Sequence, residues 1–262
     1  MSNPLFSMLD KICVITGGSR GLGKAMATAF LNAGAKRVYV TARKPHECAQ
    51  TAEELSALTE SGECIGLPGD MSSADDIKAF VDEIASRESH VDVLVNNAGA
   101  AWVASIDEFP EKGWDKIMDL NVKTPFFLTQ QLLPLLRAGG SAEKTASVIN
   151  IGSIAGMLGN AGSGLSYSVS KTAIHQLTRN LANLLADDHI RVNAIAPGRF
   201  HSKMTSTVEQ DREQYEREIK MIPLHRWGSD EDIMGPALLL ASNAGAFMTG
   251  GIITVDGGYM VV

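Results

Sequence analysis

The sequence predicts a single α/β domain built on a doubly wound, seven-stranded parallel sheet with helices on both faces. Three observations predict it. Short β-rich runs recur along the chain, several almost continuously apolar, as strands covered on both faces must be. Longer helical patterns separate those runs, and β/α alternation argues for parallel pairing through right-handed crossovers. No linker, repeat or low-complexity tract divides residues 1–262, so one domain is expected.

In order, the strands are expected at 11–16 (KICVIT), 37–41 (RVYVT), 63–67 (ECIGL), 91–95 (VDVLV), 146–151 (ASVINI), 190–195 (IRVNAI) and 252–255 (IITV). Helical segments are expected near 22–33, 46–61, 74–88, 112–137, 166–187 and 230–242. One segment, 199–225, interrupts the alternation and carries the charged run EQDREQYEREIK at 209–220. Such a run reads as a solvated helix, and a long insertion in a compact domain also reads as a lid over a site.

Composition narrows the function classes. A formal net charge of -7 excludes a broad basic surface for nucleic acid. The amino terminus MSNPLFSMLDK lacks the basic and apolar regions of a secretory signal, and no apolar run is long enough to span a membrane. Cys13, Cys48 and Cys64 are widely spaced and odd in number, which suits buried thiols better than disulfides or a zinc site. A cytoplasmic enzyme is expected. The histidines form no metal-ligand pattern, and no catalytic metal is expected.

The first strand runs directly into Thr16-Gly17-Gly18-Ser19-Arg20-Gly21-Leu22-Gly23 and then a helix. Glycines let the backbone approach a pyrophosphate, and the helix start offers unpaired N–H groups and a favourable dipole. A strand before and a helix after are the context a dinucleotide-binding Rossmann turn requires. The second strand ends Thr41-Ala42-Arg43-Lys44, with no carboxylate before Glu47 to accept from a ribose 2′-hydroxyl. Arg43 and Arg20 could instead clamp a 2′-phosphate, which favours NADP(H) over NAD.

Tyr167 stands four residues before Lys171, on one face of a predicted helix. A free phenol has a pKa of about 10, and a nearby ammonium stabilises the phenolate. A lowering of a few units would bring Tyr167 near the working range for proton transfer. Ser153 follows the strand 146–151, at the sheet edge where ligands of open α/β sheets bind, and its hydroxyl could steady a developing oxyanion. Asn121 falls inside the predicted helix 112–137, with Pro125 soon after; asparagine is a mediocre interior helix residue.

TGGSRGLG at 16–23, NNAG at 96–99, Asn121, Ser153, YSVSK at 167–171 and PG at 197–198 together resemble the short-chain dehydrogenase/reductase family, in order and spacing along nearly the whole chain. Within it the chain resembles NADPH-dependent 3-oxoacyl-carrier-protein reductases, and QQLLPLL, INIGS, APGRF and MTGG resemble a branch linked to rhamnolipid biosynthesis. The resemblance implies a catalytic tetrad of Asn121, Ser153, Tyr167 and Lys171, with Asn121 holding a relay water. It implies cofactor contacts from Gly17, Ser19, Arg20, Gly21, Leu22, Gly23 and Arg43, from Asn97, Ala98 and Gly99, from Tyr167 and Lys171, and from Pro197, Gly198, Phe200 and Ser202. Asp70 resembles the residue that accepts from the adenine amino group, with Met71 beside the ring; a turn ahead of helix 74–88 explains Asp70 equally well. The gap from Ser153 to Tyr167 is about one residue longer than in many relatives, and glycines at 156, 159, 162 and 164 leave the loop's path open.

The expected reaction is reduction of a small-molecule ketone by NADPH. Two other classes share the glycine turn: a methyltransferase, which would want an acid after the second strand, and a silent dinucleotide sensor, which would be expected to lack a tetrad residue. The substrate chamber is expected from 100–105, 154–164 and the lid, with Trp102, Met157, Leu158 and Phe200 making it apolar. The resemblance implies a homodimer or homotetramer, and the tail YMVV at 259–262 suits either an interface or packing on its own domain.

Overall fold

The structure is a computed structural model that describes residues 4–159, 164–202, 205, 208 and 210–262. Seven parallel strands form one sheet in the order β3-β2-β1-β4-β5-β6-β7. They are β1 (Ile12–Thr16), β2 (Arg37–Ala42), β3 (Glu63–Pro68), β4 (Val93–Asn96), β5 (Ala146–Ile151), β6 (Ile190–Pro197) and β7 (Ile252–Val255). The order reverses between β1 and β4, which opens a crevice at the carboxyl ends of those strands.

Strand alternation builds two cores. Cys13, Ile15, Val38 and Val40 face one side, against α1 (Gly21–Asn32) and α2 (Pro45–Ser56). Ile12, Val14 and Tyr39 face the other, against α3 (Ala74–Arg87) and helical residues from later in the chain, Leu128, Leu132, Leu136 and Leu181. The three cysteines are free and buried, as expected. Among the described residues no helix is long and apolar enough to cross a membrane, and no cluster of candidate metal ligands occurs.

Three helices differ from expectation. The helix expected to reach residue 61 ends at Ser56, whose Oγ accepts from Cys64 N at 2.9 Å and donates to Cys64 O at 3.2 Å, tying the helix end to β3. The helix expected over 112–137 is broken into α4 (Glu111–Met118), a π-helical turn (Asp119–Lys123) and α5 (Thr124–Gly139). Pro125 has no N–H to return to the carbonyl of Asn121, four residues earlier, so one α-helical bond is missing where the π turn gives way to α5. The third, α6 (Leu165–Leu184), stops short of residue 187 in a 3₁₀ turn, Ala186–Asp188, followed by His189 at φ 57°.

The charged run folds in part as α7 (Arg212–Lys220), and α8 (Asp230–Ala241) follows with a capping box from Ser229 and Asp232. Residues 203, 204, 206, 207 and 209 of the expected lid, and 160–163 of the loop after Ser153, lie outside the described residues.

Candidate active site

A cleft of about 1010 Å³ follows the carboxyl edge of the sheet. Every residue that the sequence assigned to cofactor or chemistry lines it, except Asn121, which is buried behind its wall.

The glycine turn closes the cleft at the start of α1. Gly17 has φ +64°, a region that disfavours side chains, and a Cβ on Gly23 would stand 2.4 Å from the Gly17 carbonyl. Asn97 locks this turn from β4: its Nδ2 donates to Thr16 O at 2.8 Å and Gly17 O at 3.0 Å. Thr16 Oγ1 in turn accepts from the N–H groups of Asn97 and Ala98, each at 3.0 Å. Both Asn97 side-chain donors therefore serve the turn itself. Thr16 was missed in the sequence because its position, ending an apolar strand, looks like ordinary strand chemistry.

At the far end of the glycine turn the cleft passes Arg20, Arg43 and Asp70. Arg20 N-caps α1 in extended backbone without spending its side chain on the cap. Lys44, the next cation, is paired with Glu47 at 2.6 Å. Asp70 Oδ1 accepts from Ser72 N at 3.0 Å and Ser72 Oγ at 2.8 Å, an Asx-type turn ahead of α3. Burial opposes its ionisation, but these bonds and the charges of Arg43 and Lys116 hold the carboxyl below its ordinary range.

At the opposite end α6 presents Tyr167, Lys171 and His175 at successive turns. Lys171 is buried, donates to Ile151 O at 2.7 Å, and lies 5.5 Å from the centroid of the Tyr167 ring. Burial pushes its ammonium down to about 8. Burial likewise pushes the Tyr167 phenol above its ordinary value, while hydrogen bonding with Ser153 and the charge of Arg199 act in the opposite direction. The expected lowering of the phenol by Lys171 is thus not the balance found here. The ammonium sits over the ring rather than on the hydroxyl, and desolvation outweighs the groups that favour the phenolate. Ser153 Oγ also accepts from Ala155 N at 3.1 Å, which fixes it at the strand end.

Asn121 fastens this end together. Its side chain exchanges two bonds of 2.9 Å with the backbone of Ala100 and donates to Ser170 Oγ at 3.0 Å, and Ser170 Oγ donates to Tyr167 O at 2.7 Å. Both amide donors of Asn121 are used, and its main-chain carbonyl lacks the α-helical donor that position 125 would supply were it not proline. Gly99 lies between: a Cβ there would come within 3.3 Å of Asn121 Oδ1 and 3.7 Å of Lys171 Nζ. Ser170 was not found in the sequence, where it reads as one more small residue of YSVSK.

Two of the loop glycines are explained. A Cβ on Gly156 would strike the backbone of Lys171 at 2.6 Å, and one on Gly164 would strike Trp102 O at 2.2 Å. Trp102 and Met157, expected in the apolar chamber, are not among its lining; the Trp102 ring packs on Gly113 with Lys116 Nζ 5.6 Å from its centroid, and Met157 is exposed. Leu158, Phe200 and Val103 do line it. In the carboxyl-terminal tail Tyr259 reaches the cleft, while Val261 and Val262 are exposed.

Known proteins resemble this chain along its length. A family model described as Enoyl-(Acyl carrier protein) reductase matches residues 17–260. The rhamnolipids biosynthesis 3-oxoacyl-[acyl-carrier-protein] reductase of Pseudomonas aeruginosa is 45% identical over 257 residues, 98% of this chain and 99% of that protein. The 2-dehydro-3-deoxy-D-gluconate 5-dehydrogenase of Escherichia coli is 36% identical over 97% of each. A solved RhlG/NADP active-site complex from Pseudomonas aeruginosa superposes with a TM-score of 0.94 at 44% identity, covering 98% of this chain and 99% of that one.

Proposed function

The chain belongs to the short-chain dehydrogenase/reductase family, and from that premise we propose that it uses NADPH to reduce a ketone to a secondary alcohol, with Tyr167 as the proton donor. The observation that carries the reading is one cleft that joins a glycine turn at one end to Ser153, Tyr167 and Lys171 at the other.

The residues present fit the cofactor. The turn at Gly17–Gly23 leaves backbone N–H groups and no side-chain bulk where a pyrophosphate would lie. Arg20 and Arg43 suit a 2′-phosphate, and the solved NADP complex of a relative supports that choice. Asp70 has one carboxylate oxygen committed to its own turn and a second for the adenine amino group, with Met71 alongside. Asn97 acts by holding the turn, while Ala98 and Gly99 give room to the riboses. Pro197, Gly198, Phe200 and Ser202 border the nicotinamide end.

When bound, NADPH supplies the hydride. The protein supplies the rest. Ser153 orients the substrate carbonyl oxygen. Tyr167, kept protonated by burial, gives it a proton as charge builds there. Lys171 holds the nicotinamide ribose with its ammonium and offsets charge left on the phenolate. Asn121 anchors α6 through Ser170, and its main-chain carbonyl is suited to a relay water that refills Tyr167. In the segment expected as a lid, α7 borders the cleft through Gln214 and Glu218 and would cover the substrate. Exposed Phe126 and Phe127 on α5 support assembly into a homodimer or homotetramer.

The test is NADPH oxidation, followed optically, with a panel of structurally varied ketones. Turnover of neutral ketones with NADPH preferred over NADH is expected. Tight NADPH binding with no turnover of any carbonyl would instead point to a sensor.

A further inference from the structure

Behind the proton donor the cleft carries a feature that the tetrad does not use. Arg199 follows Pro197-Gly198 at the end of β6, and its backbone carbonyl accepts from Gly228 N at 2.8 Å. Its guanidinium reaches across to α7, where Nη2 donates to Glu218 Oε1 at 3.1 Å and Nε lies 3.0 Å from Oε2. Glu218 is the one residue of α7 that is buried, and Oε2 has no directed hydrogen bond. Both side chains line the same cleft as Ser153 and Tyr167, and the charge of Arg199 is felt at the Tyr167 phenol. One turn earlier on α7, Tyr215 packs edge-on against Trp227 with centroids 4.9 Å apart, so the helix is seated at two points.

An arginine beside a carbonyl site would ordinarily bind a substrate carboxylate. Here that capacity is already taken by a buried carboxylate from the chain itself. A free keto acid would have to displace Glu218 or lie beside it, and like charges at that range repel. The buried ammonium at this end, Lys171, is engaged too, donating to Ile151 O.

We propose that the Arg199–Glu218 pair is the charge filter of the substrate site, which makes this enzyme a reductase of neutral carbonyl compounds, esters or thioesters of oxo acids among them, and not of free oxo acids. The inference rests on the ketone-reductase reading and narrows it. It separates the chemistries of two relatives, a 3-oxoacyl-[acyl-carrier-protein] reductase and a 2-dehydro-3-deoxy-D-gluconate 5-dehydrogenase, in favour of the first. Glu218 is the specificity residue; Arg199 is the group it withholds.

The experiment measures kcat/KM at saturating NADPH for a matched pair, ethyl 3-oxohexanoate and free 3-oxohexanoate. Wild type should favour the ester. Glu218→Gln keeps the shape but releases the guanidinium, and should shrink that preference by roughly tenfold, the equivalent of about 1.4 kcal/mol, through a gain on the acid. Arg199→Met combined with Glu218→Gln removes both charges and should restore the ester preference, which a merely structural role would not do. Equal wild-type use of ester and acid would overturn the filter while leaving ketone reduction intact. So would an ester-to-acid ratio that stays fixed in Glu218→Gln. No turnover of the ester by a wild type that reduces other ketones of the panel would also overturn the filter; no turnover of any carbonyl would overturn the ketone-reductase reading with it.

Discussion

The sheet buries charge at both of its edges, and the two edges treat it differently. At the amino edge, Asp92 accepts from Ile12 N at 2.8 Å and stands 2.6 Å from Lys144 and 3.4 Å from His90. Lys11 donates to Ala241 O, and Arg191 to Thr145 Oγ1 and Leu240 O, all at 2.8 Å. Opposite charges meet there: Asp92 Oδ1, which has no directed hydrogen bond, is held against the Lys144 ammonium, and the Lys11 and Arg191 donors end on acceptors. At the carboxyl edge, Lys171 has a single carbonyl, His175 Nε2 is buried without a partner, and the Tyr167 phenol is raised by burial. The amino edge uses buried charge to fasten strands. The carboxyl edge leaves it incompletely satisfied, and groups in that condition are the ones poised to exchange protons.

The contrast is sharpest at Lys171. Burial alone lowers it to about 8, so at pH 7 it is charged in both folded and unfolded states and its desolvation costs the fold. Lys171→Met should therefore cut kcat by roughly 100- to 10,000-fold, the range of lost acid–base catalysis, while raising Tm. A fall in Tm would break the comparison. Asp92→Asn should do the reverse: it should destabilise by about 3 kcal/mol in denaturant melts and leave the NADPH Kd within twofold. If it weakens NADPH instead, the edges are not separable.

His175 gives the next effect. Burial first, then Lys171 and Arg179, hold its imidazole down to about 4, against an ordinary value near 6.5. Between pH 6.5 and 4 the unfolded chain binds the proton and the folded one does not, so stability should fall with pH across that window, by roughly 2–3 kcal/mol in total. His175→Gln should flatten that slope. The smallest effect is expected at Arg43→Asp: about 10- to 30-fold weaker NADPH binding with NADH little changed, read by cofactor fluorescence. Equal losses for both would remove the 2′-phosphate clamp.

Much of this was legible in the sequence where one signal was local and strong. All seven strands lie where the apolar runs placed them, with ends moved by one or two residues. The glycine turn, Tyr167, Lys171 and Ser153 converge on one cleft as expected. What was hidden depends on partners distant in the chain. Ser170 matters only because Asn121, 49 residues away, donates to it. Thr16 matters only because Asn97 and Ala98, about 80 residues on, reach back to it. Glu218 sat inside a charged run that reads as solvated, and only the fold turns that one carboxylate inward. The break at Asn121 is half visible, since Pro125 marks the place but nothing in the sequence shows that the chain answers it with a π turn. The acidity of Tyr167 was misjudged because spacing shows that a lysine is near, not that it sits over the ring.

The central claim, that Tyr167 hands over the proton, is tested most directly by single-turnover NADPH oxidation on a neutral ketone that wild type reduces, comparing wild type with Tyr167→Phe. The account predicts that the NADPH Kd is kept within about twofold and the oxidation rate falls by at least roughly 100-fold. A Tyr167→Phe enzyme that oxidises NADPH at the wild-type rate would contradict it.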